Sequence, residues 1–324
     1  MNNSLMIFFS IGSLGLLASC SNVDSSSDKS SASSSVSTVA DNVEISIIKN
    51  IRYASFDPDS ANLLDIYRPN DGKVYPGLVL VHGGGWRSGD KEKLNETSVD
   101  LAKRGYVVAN INYQLSTTTK KAFPEAVIDV KAAIRWFRAN AATYNLNPDK
   151  IGGIGGSAGG NLIAMAASTS HIDTFDGPPG NNEGVSDALQ ATIVLAGGFD
   201  QERRLKITWP GSHRSESIRA YFGLFDVDSI DVDNPEHLAL LRAGSPVTYA
   251  SPEMGPILFI ESGQDFPNPP IGRYPPETME ELKSFNPGSK RMLLTDAKHS
   301  KWNDDEYREI YVNTYVEFLS PYLK

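Results

Sequence analysis

The sequence predicts an α/β fold with a mostly parallel, doubly wound sheet and flanking helices. Short apolar runs typical of strands buried on both faces alternate with longer segments in which apolar residues recur at helical spacing. This alternation is typical of βαβ units, whose strands pair in parallel. The chain has 324 residues, of which 40% are hydrophobic, and this suits one sizeable domain with a buried core.

The predicted elements begin at residue 43. The first two strands, residues 43–53 and 63–67, are expected to form an antiparallel hairpin. Asp90 is placed to cap the first helix, and Pro124 starts the second, where its missing N–H costs least. The other predicted strands are residues 78–81, 106–111, 150–155, 191–195, 257–260 and 292–294. The predicted helices are residues 91–104, 125–144, 158–168 and 306–322.

The N-terminal segment has the pattern of a lipoprotein signal. An apolar run at residues 6–17 is too short to span a bilayer comfortably, and small residues then precede Cys20, which resembles a bacterial lipobox. We therefore expect a signal peptide over residues 1–20 and lipidation of Cys20. Because residues 1–5 carry no positive charge, an ordinary secretory signal or an uncleaved anchor is the alternative.

Residues 21–42 are dominated by serine and contain almost no apolar side chains that a core could bury. Such a segment cannot offset the entropy of ordering, so a flexible tether is expected between the lipid and a domain at residues 43–324. The predicted location is the bacterial cell envelope, with a secreted or periplasmic protein as the alternative. The membrane contact is expected only through the lipid anchor.

The charge, the cysteine count and the histidine spacing limit which partners, cross-links and metals the domain is expected to have. The formal net charge of −9 gives no electrostatic reason to expect nucleic acid. Cys20 is the single cysteine, so the mature domain has no intramolecular disulfide. No His or Cys pair has the spacing of metal ligands, and we expect neither a metal nor a cofactor.

A G-x-S-x-G pattern at residues 155–159, centred on Ser157, predicts a nucleophile elbow. The turn is so tight that the neighbours of the serine must be glycine or very small. A second glycine run, His82-Gly83-Gly84-Gly85-Trp86, directly follows the predicted strand at residues 78–81. Such a run can aim backbone N–H groups at a developing oxyanion without obstruction by side chains. The pairing of the two motifs predicts acyl transfer through a serine.

Together these motifs resemble the α/β-hydrolase esterases related to hormone-sensitive lipase, and within them the branch with bacterial feruloyl-esterase-like and related carboxylesterase domains. The resemblance covers residues 45–320. It rests on the stretches 64–69, 82–86, 89–91, 111–113 and 155–160. It implies an α/β-hydrolase fold and carboxylic ester hydrolysis. Where the family usually has arginine after Asn-Tyr, this chain has Gln114, so an ion pair with Asp129 is expected to be missing.

His299 is the predicted general base among the five histidines, because it follows the last predicted strand and satisfies the chain order Ser, acid, His. His82 is expected to hold the shape of the glycine loop. The other three lie in polar segments and are expected to be solvated: His171, His213 and His237.

The acid that orients the imidazole must follow a strand between Ser157 and His299. Asp265 is the predicted acid, with Glu261 in reserve, and Asp296 is too near His299 in sequence. The spacing around Asp265 departs from the family, in which glycine and two further residues usually precede the aspartate.

The predicted oxyanion donors are the N–H groups of Gly83, Gly84 and Ala158. Gly85 is expected to serve close backbone packing, and Trp86 is expected either to cover the loop or to join the core.

Two other classes of function compete with this interpretation. Residues 153–158 also match the dinucleotide fingerprint G-x-G-x-x-A, with Asp173 about twenty residues further on. A dinucleotide site would give residues 82–86 no role. In addition, the fingerprint normally lies in the first βαβ unit, whereas here it follows several predicted strands. A binding protein that has kept the fold and lost the chemistry is the second alternative, favoured only by the altered acid region. Substrate choice is not readable from the fold; a surface location favours an ester on acylated extracellular carbohydrate.

Overall fold

The computed structural model describes residues 43–55, 62–178, 182–208, 212–213, 216–262, 276–294, 299 and 301–324. The predicted signal peptide, the serine-rich tether and Cys20 lie outside the described residues, as do Asp265 and Asp296. Within the described ranges, no helix combines the length and the apolar composition that crossing a membrane requires.

Ten strands make up the β-structure of the described residues. They are β1 (Ile45–Arg52), β2 (Leu63–Pro69), β3 (Tyr75–Val81), β4 (Val107–Ile111), β5 (Leu146–Gly156), β6 (Ala191–Leu195), β7 (Ser212–His213), β8 (Ile230–Asp231), β9 (Ile257–Ser262) and β10 (Lys290–Leu294). Eight of them form one sheet in the order β1-β2-β4-β3-β5-β6-β9-β10. The β1–β2 and β2–β4 pairs are antiparallel, and the other neighbours in this sheet are parallel. β7 and β8 form a separate antiparallel pair.

The helices of the described residues are α1 (Asn95–Lys103), α2 (Glu125–Ala139), α3 (Ala141–Tyr144), α4 (Ala158–Ser168), α5 (Gln201–Thr208), α6 (Glu216–Phe222), α7 (Pro235–Ala243), α8 (Pro276–Phe285) and α9 (Asp305–Leu323). Short 3₁₀ turns cover Lys91–Leu94, Asp173–Phe175, Pro246–Tyr249 and Lys301–Asn303.

Two hydrophobic cores lie against the sheet. The first contains the buried faces of α2 and α4, and the second contains those of α1 and α9. β4 and β6 have every residue buried, which explains why their sequences are almost entirely apolar. The predicted doubly wound arrangement is therefore confirmed. In such a sheet the loops at the carboxyl ends of the parallel strands form the ligand-binding edge, and both glycine motifs follow strands at that edge.

The predicted element order is confirmed, with differences at the boundaries. The opening hairpin is antiparallel, and α4 has the predicted bounds, Ala158–Ser168. The single helix predicted for residues 125–144 is wrong, because the chain breaks at Asn140 into α2 and α3. At the end of α2 the Trp136 carbonyl accepts two hydrogen bonds from Asn140, one from the backbone N–H at 3.0 Å and one from the side-chain Nδ2 at 2.8 Å.

Candidate active site

Ser157 lies on a strained turn between β5 and α4. Its backbone has φ 55° and ψ −116°, a conformation that a residue with a side chain rarely adopts. Its N–H donates to the carbonyl of Leu195 at the end of β6, at 2.7 Å. The neighbouring strand thus holds the turn, and the half-buried serine side chain stands at the carboxyl edge of the sheet. Strain of this kind is typical of functional sites.

The glycines around Ser157 are required by close backbone contacts. A Cβ on Gly155 would lie 2.3 Å from the carbonyl oxygen of Gly159, and a Cβ on Gly159 would lie 2.2 Å from that of Val81. Both separations are shorter than any real carbon–oxygen contact. The sequence pattern therefore reflects a turn that packs directly against the end of β3.

His299 is the histidine that the structure brings to Ser157. Its Nε2 lies 3.0 Å from Ser157 Oγ, although the two residues are 142 positions apart in the chain. The distance is that of a hydrogen bond, and an imidazole in this position can accept the hydroxyl proton. The Trp302 ring meets the His299 ring edge to face, with centroids 5.3 Å apart and an interplanar angle of 76°.

The glycine loop after β3 packs against the serine turn. A Cβ on Gly83 would lie 2.8 Å from the Gly156 carbonyl oxygen and 3.2 Å from Ser157 Cβ. Within the described part of the chain, the N–H groups of Gly83 and Gly84 donate to no other protein group. Ala158 is the first residue of α4, so its N–H has no partner inside the helix. The three predicted donors thus come from two loops that touch each other.

The residues that follow in this loop are anchored by α6. Trp86 is 4% exposed and stacks on Tyr221, with ring centroids 4.4 Å apart. A Cβ on Gly85 would lie 2.8 Å from Ser217 Oγ, so this glycine packs against a side chain of α6 rather than against backbone as predicted. Trp86 therefore joins the core and also fixes the loop, so its two predicted roles coincide.

The predicted acid cannot be placed, because Asp265 lies outside the described residues. The reserve candidate, Glu261, is 1% exposed near the end of β9. Its Oε2 accepts a hydrogen bond from Arg291 Nε at 2.5 Å. The structure thus pairs one oxygen of Glu261 with a cation on the neighbouring strand, β10.

Asp129 is held by hydrogen bonds from neutral groups. Its carboxylate accepts the Gln114 N–H and the Asn62 side-chain amide, each at 2.7 Å. Within the described residues it forms no ion pair, as expected from the glutamine that replaces the family arginine. Burial raises the pKa of Asp129 from 3.8 to about 6.

The expectation of solvated side chains is wrong for one of the three other histidines. His237 is 8% exposed on α7, and its Nδ1 accepts the N–H of Asp231 at 3.0 Å. The residue follows a helix cap formed by Asn234, so the segment that looked like a polar loop is the first turn of a helix. His171 is partly exposed, with Nδ1 3.9 Å from Glu253.

The position of the fingerprint in the fold gives no support to the dinucleotide-binding alternative. The fingerprint glycines lie at the end of β5, which is in the middle of the sheet, and Asp173 begins a 3₁₀ turn rather than following a strand. Within the described residues, no group of three His, Cys, Asp or Glu side chains could hold a metal ion.

Two residues at the site, Tyr113 and Trp302, were not among the predicted functional residues. Tyr113 comes shortly after β4, which pairs in parallel with β3 so that Ile111 lies beside Val81. His82 follows β3 in the same way. Because residues that follow adjacent parallel strands meet at one edge of the sheet, the strand pairing could have placed Tyr113 beside His82, and the two rings do stack. Trp302 lies three residues after His299, but nothing in its surroundings in the sequence singles it out.

Comparison with models of protein families shows which family the chain belongs to. The family model described as BD-FAE matches residues 64–269, which is more than half of the chain. The chain belongs to the BD-FAE family. This matched region contains the glycine loop and the serine turn. The predicted relationship to α/β-hydrolase esterases is therefore confirmed.

Known relatives of this BD-FAE chain include both curated sequences and solved structures. Esterase LipQ of Mycobacterium tuberculosis is 32% identical over 208 residues, which are 63% of this chain and 46% of LipQ. A bifunctional GH43-CE protein of Bacteroides eggerthii has a TM-score of 0.72 at 24% identity, over 86% of this chain and 35% of that one. A truncated carbohydrate esterase from gut microbiota has a TM-score of 0.65 at 24% identity, over 87% and 99%. These two structures establish the fold.

The BD-FAE chain spans about half the length of the curated relatives it matches, namely LipQ and two other Mycobacterium tuberculosis proteins, LipM and LipC. LipQ and LipC are named esterases and LipM a probable carboxylic ester hydrolase.

Proposed function

We propose that this BD-FAE chain is a carboxylic ester hydrolase that works through an acyl-serine intermediate on Ser157. One observation carries the proposal: Ser157 Oγ lies 3.0 Å from His299 Nε2 on a strained turn whose geometry matches a nucleophile elbow. The curated relatives that are named esterases support the same reaction class. In this proposal His299 is the base, and Asp265 orients it.

The reaction proceeds in two displacements at the acyl carbon. His299 Nε2 takes the proton of Ser157 as Oγ bonds to the carbonyl carbon, and a tetrahedral oxyanion forms. The C–O bond to the alcohol then breaks, and the imidazolium returns the proton to the departing alkoxide. A water molecule repeats the sequence on the acyl-serine, which releases the carboxylic acid and restores the Ser157 hydroxyl.

The proposed oxyanion hole consists of the N–H groups of Gly83, Gly84 and Ala158. Its support is that the two glycine N–H groups have no protein acceptor within the described residues and that the Ala158 N–H opens α4. The positive end of the α4 dipole adds to the stabilisation of negative charge at this place. Removal of a single donor from such a site costs on the order of 10² to 10³ in kcat.

The proposed substrate class is acylated extracellular carbohydrate. This extension is supported by the predicted lipoprotein signal and the serine-rich tether, because an enzyme held at the cell envelope would meet polysaccharide esters. We propose in the same way that Cys20 carries the lipid and that the domain works at the cell envelope.

The proposed function is tested by covalent labelling of the nucleophile with a phosphonate, which forms a stable analogue of the tetrahedral intermediate on serine. The purified full chain is treated with a p-nitrophenyl alkylphosphonate, and the modified peptide is identified by mass spectrometry. A single adduct on Ser157, together with turnover of p-nitrophenyl esters, methyl ferulate or acetylated xylan, is the expected result. Binding of carbohydrate without adduct or turnover would contradict the proposal and favour the catalytically inactive binding protein.

A further inference from the structure

Two of the proposed oxyanion donors belong to consecutive peptide units whose carbonyl ends are both hydrogen-bonded. The Gly83 N–H shares a peptide unit with the His82 carbonyl, and the Gly84 N–H shares the next unit with the Gly83 carbonyl. In a planar trans peptide the C=O and N–H bonds point in opposite directions. A group that holds the carbonyl oxygen therefore sets the direction of the N–H.

Tyr113 holds the first of these peptide units. Its hydroxyl donates to the His82 carbonyl oxygen at 2.9 Å, and no other side chain of the described residues donates to that oxygen. The Tyr113 side chain is 1% exposed, and burial raises the pKa of its hydroxyl well above the usual range. The hydroxyl therefore keeps the proton that this hydrogen bond needs at neutral pH.

His82 holds the second peptide unit. Its Nδ1 lies 2.9 Å from the Gly83 carbonyl oxygen, and because a carbonyl oxygen only accepts, Nδ1 carries the hydrogen. Burial lowers the pKa of His82, so the ring is neutral at neutral pH. The Tyr113 ring stacks on this imidazole, with centroids 4.5 Å apart and an interplanar angle of 20°. One tyrosine thus contacts both of the groups that orient the loop.

We propose that Tyr113 is a positioning residue for the oxyanion hole. Its hydroxyl fixes the peptide unit that ends in the Gly83 N–H, and its ring fixes the imidazole that orients the Gly84 N–H. A hydrogen bond at the carbonyl end also polarises the peptide and makes its N–H a stronger donor. This inference rests on the proposed role of Gly83 and Gly84 in the reaction.

The test compares ground-state binding with binding of a tetrahedral adduct. Tyr113→Phe keeps the ring on His82 and removes only the hydroxyl. We expect kcat on p-nitrophenyl acetate to fall about 10-fold or more, since the donor stays in place but loses its alignment. KM should stay within about 2-fold, and the inhibition constant of a short alkylboronic acid, which forms a tetrahedral adduct on serine, should rise by the same factor as kcat falls.

Tyr249→Phe is the matched control, because its hydroxyl also donates to a backbone carbonyl, that of Ala243 at 3.1 Å, away from the glycine loop. We expect its kcat and its boronic acid affinity to equal those of the wild type. Both variants are assayed at a temperature below their measured unfolding midpoints, so a loss of stability alone does not change the rate per folded molecule.

Three outcomes overturn the inference. They are a normal kcat for Tyr113→Phe, a loss confined to KM, and an unchanged boronic acid affinity beside a reduced kcat. Failure of the proposed function has a different signature, namely an active Ser157→Ala variant. An inactive Ser157→Ala beside a normal Tyr113→Phe rejects the positioning role alone.

Discussion

The indole of Trp302 packs directly against Gly156, the residue before the elbow serine. A Cβ on Gly156 would lie 2.7 Å from Trp302 Nε1 and 2.9 Å from its ring carbons. The same indole meets the His299 ring edge to face. Because Trp302 is 6% exposed and packs in the core with α9, it connects the serine turn and the histidine to a rigid part of the domain. The Ser157–His299 separation therefore depends on a side chain that takes no part in the chemistry.

Replacement of Trp302 tests this connection. Trp302→Ala leaves a cavity beside His299 and lets the imidazole turn away from Ser157, so we predict a loss of about 10-fold or more in kcat. Steady-state kinetics on p-nitrophenyl acetate measure the loss. Trp136→Ala, on α2 beside Tyr144, is the matched control and should lower stability with little effect on kcat. Equal kcat values for the two variants would show that Trp302 does not position the histidine.

The identity of the acid can be decided by a pair of isosteric substitutions. We predict that Asp265→Asn lowers kcat by roughly 10³-fold or more, because the imidazole loses its tautomer control and its charge stabilisation. Glu261→Gln should have a small effect on kcat, since Glu261 is paired with Arg291 and its loss is expected to weaken β9–β10 packing instead. The reverse result, an inactive Glu261→Gln beside a nearly normal Asp265→Asn, would assign the acid to Glu261.

The pH dependence of stability should carry a contribution from Asp129. Burial raises its pKa from 3.8 to about 6, so the native state binds one more proton than the unfolded chain between these values. Stability is then lost as pH rises through this window, by up to about 3 kcal/mol at 1.36 kcal/mol for each pKa unit. Urea unfolding at pH 4 and pH 7 measures the change.

Asp129→Asn removes this titration and should flatten the difference between the two pH values. In the variant an NH₂ group, which donates, replaces one carboxylate oxygen, which accepts. One of the hydrogen bonds from Gln114 and Asn62 is then lost, so the free energy of unfolding is expected to fall. Identical pH dependence in wild type and variant would contradict the assignment of a raised pKa to Asp129.

Location is tested at the N-terminus. We predict that Cys20→Ala moves the protein from the membrane pellet to the soluble fraction without a change in specific activity, because several acyl chains on one cysteine anchor a protein stably. Intact-mass analysis of the wild-type N-terminal peptide should show the acyl groups. An unmodified N-terminus that starts at another residue would indicate a secreted, soluble esterase instead.

The elements that sequence reasoning located best are those with a strong local signal. α4 follows a glycine turn and is buried on all sides, and its predicted bounds agree with the structure. β5 starts at Leu146, earlier than predicted; residues 147–150 are partly or fully exposed and lack an apolar pattern that would have revealed this part of the strand. The break at Asn140 is not visible in the sequence, because apolar residues at helical spacing continue to Ala141.

The parts of the site that the sequence does not reveal are those made by contacts between distant segments. Ser157 and the glycine loop were recognisable as local motifs, and His299 was recognisable from chain order. Tyr113 contacts the glycine loop from just after a neighbouring strand, and Trp302 contacts the serine turn and His299 from the core. Their roles depend on the strand order and on packing distances, which one sequence does not specify.

The measurement that tests the account most directly is the turnover number of Ser157→Ala beside that of Ser98→Ala. Ser98 is a matched control because it lies in α1, outside both glycine motifs, and its Oγ donates to the Leu94 carbonyl just before that helix. We predict that Ser157→Ala lowers kcat on p-nitrophenyl acetate on the order of 10⁶-fold with an unchanged unfolding midpoint. Ser98→Ala should keep the wild-type kcat. A purified Ser157→Ala protein that retains more than a few per cent of wild-type activity would contradict the serine mechanism.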